Sequence, residues 1–339
     1  TVVPWLWLAT QQRHSQVFQN RTLADIAEQI LSPYAPHAVW RYTAGAQQRI
    51  DALGPREHVS QYRETDYAFL SRLLAEAGLG FAFVEDEQAP SGHALSIFAD
   101  SPQLPEGQSS SVRYHRAHSQ EEADAVQQLA CHSRVTVPGV AVVAWDGNGK
   151  RTLRGHAPAK LGGGAQCPEP YLSVSQSVVG DAAGAQRLAE QLMESIEARA
   201  QLFAGQGTVR TFASGTRVAV SDCPHLPREE DAEAAYPLLL DIVEHCGLNN
   251  LAAETRAALG QRLGPLDAAL CFDTPPSAPE NGPMTMGFLA QGHTVERSVP
   301  TASLRQAAEQ YGYANLFRAC DARRPWRPRV VDADGARLF

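Results

Sequence analysis

Histidine and cysteine side chains give this sequence its candidate metal ligands. His115, His118 and His132 follow one another closely, and Cys131 precedes the last of them, so a metal-dependent hydrolase is one function to weigh. Two further pairs combine the same residue types, Cys223 with His225 and His245 with Cys246. Zinc ligands usually come as two matched pairs about two to four residues apart, and these residues do not. The spacing therefore predicts hydrogen-bonded or solvent-facing histidines, small buried thiols and no metal site.

Other patterns with catalytic chemistry also fail on spacing. Glu121 and Glu122 are adjacent, as are Glu229 to Asp231, whereas a general acid and a general base must flank a substrate. Gly149 and Lys150 could end a phosphate-binding loop, but the first glycine of such a loop would fall at position 144, where the chain has Ala. The segment from Asp146 to Lys150 therefore predicts a hairpin turn. The sequence contains no HExxH, GxSxG or GxGxxG. We predict no catalytic residues and no cofactor, although a site built from distant positions would leave no such pattern.

Composition restricts the class of partner. The chain has 339 residues, which favours about two domains. Its 29 basic and 37 acidic residues give a formal charge of −8, which disfavours nucleic acid as a partner. Six cysteines are scattered without a CxxC pair, as is typical of a reducing compartment. No apolar run approaches the roughly 18 residues of a membrane-spanning helix, so we expect a soluble chain without stable membrane insertion.

The elements that must position any functional residue begin with a mixed layer. The opening apolar string, with Trp5 and Trp7, favours a strand or a half-buried extended segment. Thr22 and Asp25 have the spacing of a capping box, and the apolar stripe behind them should end before Pro33.

A stronger helix signal lies in QYRETDYAFLSRLLAEAGLGFAFVED, from Gln61 to Asp86. Thr65 is the predicted N-cap and Gly78 the predicted left-handed stop. The apolar stripe between them consists of Phe69, Leu70, Leu73, Leu74 and Ala77. Alternation at Phe81 and Phe83, and again in HALSIFAD, predicts strands that pack with this helix in an α plus β layer.

From Pro102 onward the sequence favours a mainly β unit. Strands are predicted at VTVPGVAVVAW, TVRTF, TRVAVSD and YPLLLDIVEHC, and Asn249-Asn250 is typical of a turn with positive φ. One helix, about 30 to 35 Å long, is predicted from an Asp181 cap to Phe203. Residues 274–300 are rich in proline and predict an exposed loop.

The segment from Gln61 to Asp86 resembles the signature of VgrG proteins, the trimeric spike hubs of type VI secretion systems. The resemblance continues in the same block order through VVPWLWLATQQRHSQVFQNRTLADIAEQIL, ASGTRVAVSDCP, YPLLLDIVEHCGLNNLAAE and YANLFRACDARRPWRPR. It implies an α+β, mainly β fold, in which phage tail hub-like β-barrel domains carry an inserted mixed α/β layer.

The resemblance also implies a division of the chain. Residues 1–18 would be the last strand region of a truncated first hub barrel, and residues 19–110 the mixed α/β hub domain. Residues 111–315 would form a second β-barrel-like domain, with the helix near 181–204 and the loop near 274–300. Residues 316–339 would lead toward a C-terminal oligonucleotide-binding-type barrel and a needle that this sequence lacks.

The function implied by the resemblance is structural rather than enzymatic. Such a hub forms a homotrimer, sits on the Hcp tube among baseplate components, and connects through its distal regions to a PAAR tip protein and effectors. It would assemble in the cytoplasm and then be secreted or delivered into a target cell. A tail hub of a contractile phage or phage-derived particle is the alternative.

Carried over onto this sequence, the motif of the family falls on residues with structural roles. We expect Tyr62, Arg63 and Asp66 to orient the start of the helix, where an acid also complements the helix dipole. The remaining positions would anchor the helix, end it or form the later turn: Phe69, Leu70, Leu73, Leu74, Gly78, Asn249 and Asn250.

Overall fold

Short alternating segments and well-capped helices build a mixed α+β structure made mainly of strands. The structure is a computed structural model, and it describes residues 3–115, 123–161, 167–224, 226, 235–247, 251–263 and 301–328. Three short 3-10 turns supplement the α-helices and strands; they are Trp5–Thr10, Ser32–Tyr34 and Ser101–Gln103.

The first part of the chain alternates helices with short strands. Its elements are β1 (Arg13–Arg21), α1 (Leu23–Leu31), β2 (Trp40–Tyr42), α2 (Ala44–Leu53), β3 (Arg56–Thr65), α3 (Asp66–Glu76), β4 (Gly80–Glu85) and β5 (His93–Phe98). Strands β1 and β3 form an antiparallel ribbon with a register shift between His14 and Ser15. Strand β5 lies between β2, which is parallel to it, and β4, which is antiparallel.

The second part of the chain is dominated by strands. Its elements are β6 (Glu106–Arg113), β7 (Val126–Ser133), β8 (Gly139–Asp146), β9 (Arg151–Pro158), β10 (Tyr171–Val174), α4 (Gln176–Val179), α5 (Ala182–Glu197), β11 (Gln201–Gly207), β12 (Arg217–Ser221), β13 (Tyr236–Gly247), α6 (Ala253–Leu263), α7 (Thr301–Tyr311) and β14 (Tyr313–Asp321). They build a three-stranded sheet of order β10-β8-β9 and a six-stranded sheet of order β6-β12-β13-β14-β11-β7.

The expected α+β, mainly β fold is confirmed, but the residues that the structure describes form no closed β-barrel. The six-stranded sheet curls around a core of its own, yet its edge strands β6 and β7 meet only at one bridge, between Tyr114 and Val126. Beyond this bridge β7 pairs with β11, from Val126 to Ser133, instead of following β6. The sheet is therefore strongly curled but open.

Five apolar clusters hold the described elements together, the smallest of them between α7 and strands β13 and β14. One lies under α1, α3 and the first sheets, a second lies inside the curled sheet, and a third lies between α5 and the sheet of β8, β9 and β10. The fourth joins the first layer to the curled sheet, since Phe98 of β5 packs near Trp326 with ring centroids 6.1 Å apart. Both of these side chains are almost completely buried.

The predicted caps of the first two helix signals are confirmed. Thr22 and Asp25 form a complete capping box at the start of α1, which ends just before Pro33. Thr65 accepts a hydrogen bond from the Ala68 N–H at the start of α3, and Gly78 adopts a φ of 69° after its end. These signals depend on neighbouring residues only, which is why the sequence carries them.

The strand predicted at the opening string is wrong, because Trp5–Thr10 is a 3-10 helix. Pro4 precedes it with a φ of −65°, the value that proline imposes. Trp5, Leu6 and Ala9 are buried, a spacing close to helical rather than to the strict alternation of a strand.

The helix predicted to run to Phe203 ends at Glu197 instead. Phe203 lies on β11, which pairs with β7 on one side and β14 on the other. The two ladders supply backbone partners along Gln201–Gly207, so long-range pairing overrides the local apolar stripe. At 16 residues, α5 is about 24 Å long.

The strand predicted at TVRTF is also wrong. Residues 208–212 form a turn that closes one end of the curled sheet, where Val209 and Phe212 are buried. Phe212 packs edge-on against Phe317 at 5.2 Å, and Asn315 Nδ2 donates to the Val209 carbonyl at 2.6 Å. The two buried apolar residues are three positions apart and belong to a turn, not to an alternating strand.

The remaining predicted elements have mixed outcomes. TRVAVSD and YPLLLDIVEHC contain β12 and β13, as predicted. The strand in VTVPGVAVVAW begins only at Gly139, directly after Pro138, which has no N–H for a ladder. The predicted turn follows at Asp146, whose Oδ1 accepts from the Gly149 N–H at 2.8 Å. Residues 274–300 lie outside the described residues.

Candidate assembly motif

The start of α3 holds the buried polar centre of the predicted motif. Asp66, the first residue of the helix, is 3% exposed. Its Oδ1 accepts from Gln61 Nε2 and pairs with His14 Nδ1, both at 2.8 Å, and its Oδ2 accepts from the Tyr34 hydroxyl at 2.6 Å. Burial, and next the hydrogen bond to Asp66, raise the pKa of Tyr34, so that its hydroxyl stays protonated and donates. One carboxylate therefore connects β1, β3 and the turn after α1 to α3.

The other two polar residues of the motif lie on the outside of the ribbon. Tyr62 is 70% exposed, and the Arg63 guanidinium lies 5.3 Å from the centre of its ring. Arg63 has a φ of 52° opposite the register shift of β1, and its N–H donates to Ser15 Oγ at 3.1 Å. Arg13 Nη1 donates to the Arg63 carbonyl at 3.2 Å. Asp66 thus fixes the start of α3 through its buried hydrogen bonds, whereas the side chains of Tyr62 and Arg63 face solvent.

The apolar residues of the motif form the buried face of α3. Phe69, Leu70, Leu73 and Leu74 are each at most 2% exposed. Phe69 stacks on Phe18 of β1 with ring centroids 5.5 Å apart. Full burial of each side chain contributes about 1.5 to 3 kcal/mol, so this face fixes the helix on the ribbon.

The backbone conformation favours glycine at position 78, after the end of α3. Its φ of 69° lies in the region that favours glycine. A Cβ at this position would also lie 2.6 Å from Gln191 Nε2 and 2.8 Å from Arg49 Nη1. These atoms end flexible side chains that can move aside, so the positive φ is the stronger reason for glycine.

An ion-pair network on the other side of α3 was missed by the sequence reasoning. Arg72 Nη2 lies 2.6 Å from Glu64 Oε1, and Arg56 Nη1 lies 2.7 Å from Glu76 Oε2. Burial opposes the charge of Arg72, but its carboxylate neighbours, Glu64 foremost, outweigh that effect and raise its pKa. The four-residue spacing of Arg72 and Glu76 was the only local signal of this network.

The histidine and cysteine candidates are dispersed where the structure describes them. His115 follows β6, and its N–H donates to the Val126 carbonyl at 2.8 Å. Cys131 and His132 lie on β7 and are exposed. His118, His225, Asn249, Asn250, Glu121, Glu122 and Glu229 to Asp231 lie outside the described residues. Within the described ranges, no three histidine, cysteine or acidic residues are grouped as a metal site would require.

The helices give one further negative result. Among the residues that the structure describes, no helix has both the length and the apolar character needed to cross a membrane. The motif itself contains a buried carboxylate whose lone pairs are used by protein donors, and an apolar helix face packed against a ribbon. This geometry positions elements and builds a rigid surface.

The described fold is mainly β, and its motif serves packing. The family profile described as phage tail baseplate hub (GPD) matches residues 1–250. The chain therefore belongs to the phage tail baseplate hub (GPD) family, and the VgrG resemblance is confirmed as distant homology.

Curated relatives match shorter segments. The type VI secretion system spike protein VgrG1b of Pseudomonas aeruginosa is 31% identical over 128 residues, which are 37% of this chain and 16% of that protein. VgrG4b of the same organism is 33% identical over 101 residues, which are 30% of this chain and 11% of that protein. The matched segments thus span well under a fifth of the length of these relatives.

Solved structures include similar chains at low identity. The Escherichia coli c3393 protein, described as a type VI secretion component similar to phage T4 tail proteins gp27 and gp5, gives a TM-score of 0.49 at 16% identity and covers 96% of this chain and 56% of that one. The 43 kDa tail protein of prophage MuSo2 from Shewanella oneidensis gives 0.42 at 16% identity, covering 66% and 61%.

Proposed function

We propose that this chain is the structural hub of a VgrG spike in a type VI secretion system. The observation that carries the proposal is the hub-family match over residues 1–250, together with curated relatives that are spike proteins of this system. In this role the chain forms a homotrimer on the Hcp tube, contacts baseplate components, and carries effectors and a PAAR tip through distal regions. The spike assembles in the cytoplasm and is then delivered into a target cell.

The role proposed for the motif is mechanical, and the chain is not an enzyme. Asp66 accepts hydrogen bonds from Gln61 and Tyr34 and pairs with His14, so we assign this buried carboxylate to the fold and not to a substrate. Phe69, Leu70, Leu73 and Leu74 hold the helix, while exposed Tyr62 and Arg63 are available for contacts between subunits. A protein that is driven through a membrane benefits from buried hydrogen bonds, such as those of Asp66, that keep its elements in place.

The proposed division of the chain follows the resemblance. Residues 1–18 precede the mixed α/β hub domain at 19–110, a second hub domain spans 111–315, and 316–339 lead toward the distal barrel and needle. The packing contact between Phe98 and Trp326 supports a close association of the last segment with the α/β layer. The net charge of −8 supports protein partners over nucleic acid.

A second candidate function is the tail hub of a contractile phage or phage-derived particle. The description of the matching family as a phage tail baseplate hub favours it. The fold and the mechanical role of α3 would be the same, and only the machine would differ.

Deletion of the gene in its own cells separates these functions. The secretion hypothesis predicts that Hcp disappears from the culture medium and that killing of competitor cells is lost, while prophage induction still yields intact tails. The phage hypothesis predicts the reverse pattern. Complementation with the wild-type gene should restore the lost phenotype, and complementation with Asp66→Ala should restore it poorly. A deletion strain that secretes Hcp and makes tails normally would refute both.

A further inference from the structure

The turn between β8 and β9 contains an asparagine that is followed directly by a glycine. Asp146 and Arg151 pair across the two strands, and residues 147–150 form the loop between them. Asn148 and Gly149 are exposed in this loop. Asparagine before glycine is chemically labile, because glycine has no Cβ to hinder attack of its nitrogen on the asparagine side chain. The loop therefore holds a candidate site of covalent modification.

The modification in question is deamidation through a cyclic imide. The backbone nitrogen of Gly149 loses its proton to hydroxide and forms a bond to Cγ of Asn148. The Cγ–Nδ2 bond then breaks, ammonia leaves, and a five-membered succinimide ring remains. Water opens the ring at either of its carbonyls, which gives aspartate or isoaspartate at position 148. The reaction is a hydrolysis, so it requires neither an oxidant nor a reductant.

Asp146 holds the nitrogen that must attack. Its side chain is buried, and its Oδ1 accepts a hydrogen bond from the Gly149 N–H at 2.8 Å. The carboxylate is fixed from two further sides, because Gln176 Nε2 donates to Oδ1 and Arg151 Nε donates to Oδ2, both at 3.2 Å. The hydrogen bond from Gly149 is the main reason that the pKa of Asp146 is lowered, so this group is charged at neutral pH. Loss of the Gly149 proton would place a second negative charge beside the carboxylate, which is unfavourable.

We propose that Asn148 is a site of spontaneous deamidation and that Asp146 keeps it unmodified while the hairpin is folded. The side chain of Asn148 is exposed and makes no hydrogen bond within the described part of the chain, so protection comes from the held nitrogen. Modification would disturb the hairpin, because isoaspartate adds a backbone carbon to a loop in which Lys150 already has a φ of 48°. This inference does not depend on the proposed hub function.

The test follows position 148 of the full chain at mildly alkaline pH, by peptide mapping with mass spectrometry. The rate of deamidation in the folded chain is compared with the rate in the same chain unfolded in guanidinium chloride. We expect the folded chain to react at least about tenfold more slowly, because its attacking N–H must first give up a hydrogen bond to a charged acceptor. A second asparagine–glycine pair, Asn281-Gly282, lies outside the described residues. It is the reference in the unfolded chain, where both pairs should react at similar rates.

Variants of Asp146 test its role directly. In the folded chain, Asp146→Ala should raise the rate at Asn148 about tenfold, and Asp146→Asn, which keeps an acceptor oxygen without the charge, by a smaller factor. Asp51→Ala removes an exposed carboxylate on α2 and should leave the rate unchanged. Hydrogen exchange of the β8 and β9 amides should stay as in the wild type, so that the faster reaction is assigned to the freed Gly149 N–H.

Three results would overturn the proposal. The first is a folded wild-type chain that reacts as fast as the unfolded chain. The second is an Asp146→Ala variant with an unchanged or lower rate, since a lower rate would mean that the carboxylate promotes the reaction as a base. The third is loss of exchange protection along both strands in Asp146→Ala, because Asp146 would then act only by holding the hairpin together.

Discussion

Replacement of Asp66 by alanine tests the buried polar centre at the start of α3. Asp66→Ala removes the acceptor for Gln61 and Tyr34, which are 1% and 8% exposed, and for His14 on β1. The buried Tyr34 hydroxyl then has no protein acceptor, whereas Gln61 Nε2 keeps only its 3.2 Å hydrogen bond to the Glu64 carbonyl. The side chain of His14 is 45% exposed and can turn to solvent.

The expected loss follows from these burials. The unpaired Tyr34 hydroxyl costs about 1 to 3 kcal/mol and the lost hydrogen bond of Gln61 about 1 kcal/mol, so Asp66→Ala should lower the free energy of unfolding by about 2 to 4 kcal/mol. Asp66→Asn keeps one carbonyl oxygen and the shape of the side chain, and should cost less than half as much. Asp51→Ala is the matched control, because Asp51 is exposed on α2 and only accepts a surface hydrogen bond from Gln47 Nε2, and such surface substitutions usually change stability by less than about 0.5 kcal/mol.

Urea unfolding followed by tryptophan fluorescence and by circular dichroism measures these differences. Coincident transitions and an unchanged dependence on denaturant would justify a two-state comparison of the variants. Hydrogen exchange of the α3 amides should show the loss of protection first in this helix. If Asp66→Ala destabilised the chain no more than Asp51→Ala, the account of Asp66 as a structural hydrogen-bond centre would be refuted.

Three further predictions concern the core, the helix stop and pH. Phe69→Ala should cost about 3 to 5 kcal/mol in urea unfolding, because Phe69 is fully buried against Phe18; a loss below about 1 kcal/mol would contradict the packing. Gly78→Ala should lower stability by about 1 to 3 kcal/mol, since its φ is 69°, and a stabilised variant would contradict this. Burial, and next the charge of Asp321, raise the pKa of Tyr236 from 10.0 to about 12. As pH rises, Tyr236 ionises first in the unfolded chain, so its contribution to the free energy of unfolding is complete below pH 10 and is lost between pH 10 and 12. Tyr236→Phe should flatten this decline of stability with pH. An unchanged slope of unfolding free energy against pH would refute the assignment.

The sequence predicted those parts of the fold that depend on adjacent residues. Thr22, Thr65 and Gly78 act on backbone groups a few positions away, so their roles at α1 and α3 are readable from spacing. The buried face of α3 is likewise fixed by its apolar period. By contrast, α5 was predicted too long because the two ladders of β11 join segments far apart in the chain.

The candidate motif was only partly readable for the same reason. An acid at the first position of a helix is ordinary, and nothing in the spacing shows that Asp66 accepts from residues of three separate segments. The approach of α2 and α5 beside Gly78 was invisible in the sequence, since these helices come from opposite halves of the chain. The function was predicted from the resemblance to a family, and the helix caps were predicted from residue types and their spacing.

The central claim, a hub built from copies of this protein, is tested most directly by its mass in solution. The gene product should be purified from its own cells and measured by light scattering over a range of concentrations. The account predicts a particle with three times the mass of a single polypeptide, stable on dilution. A monomer at every concentration would contradict the hub mechanism and leave only the shared fold.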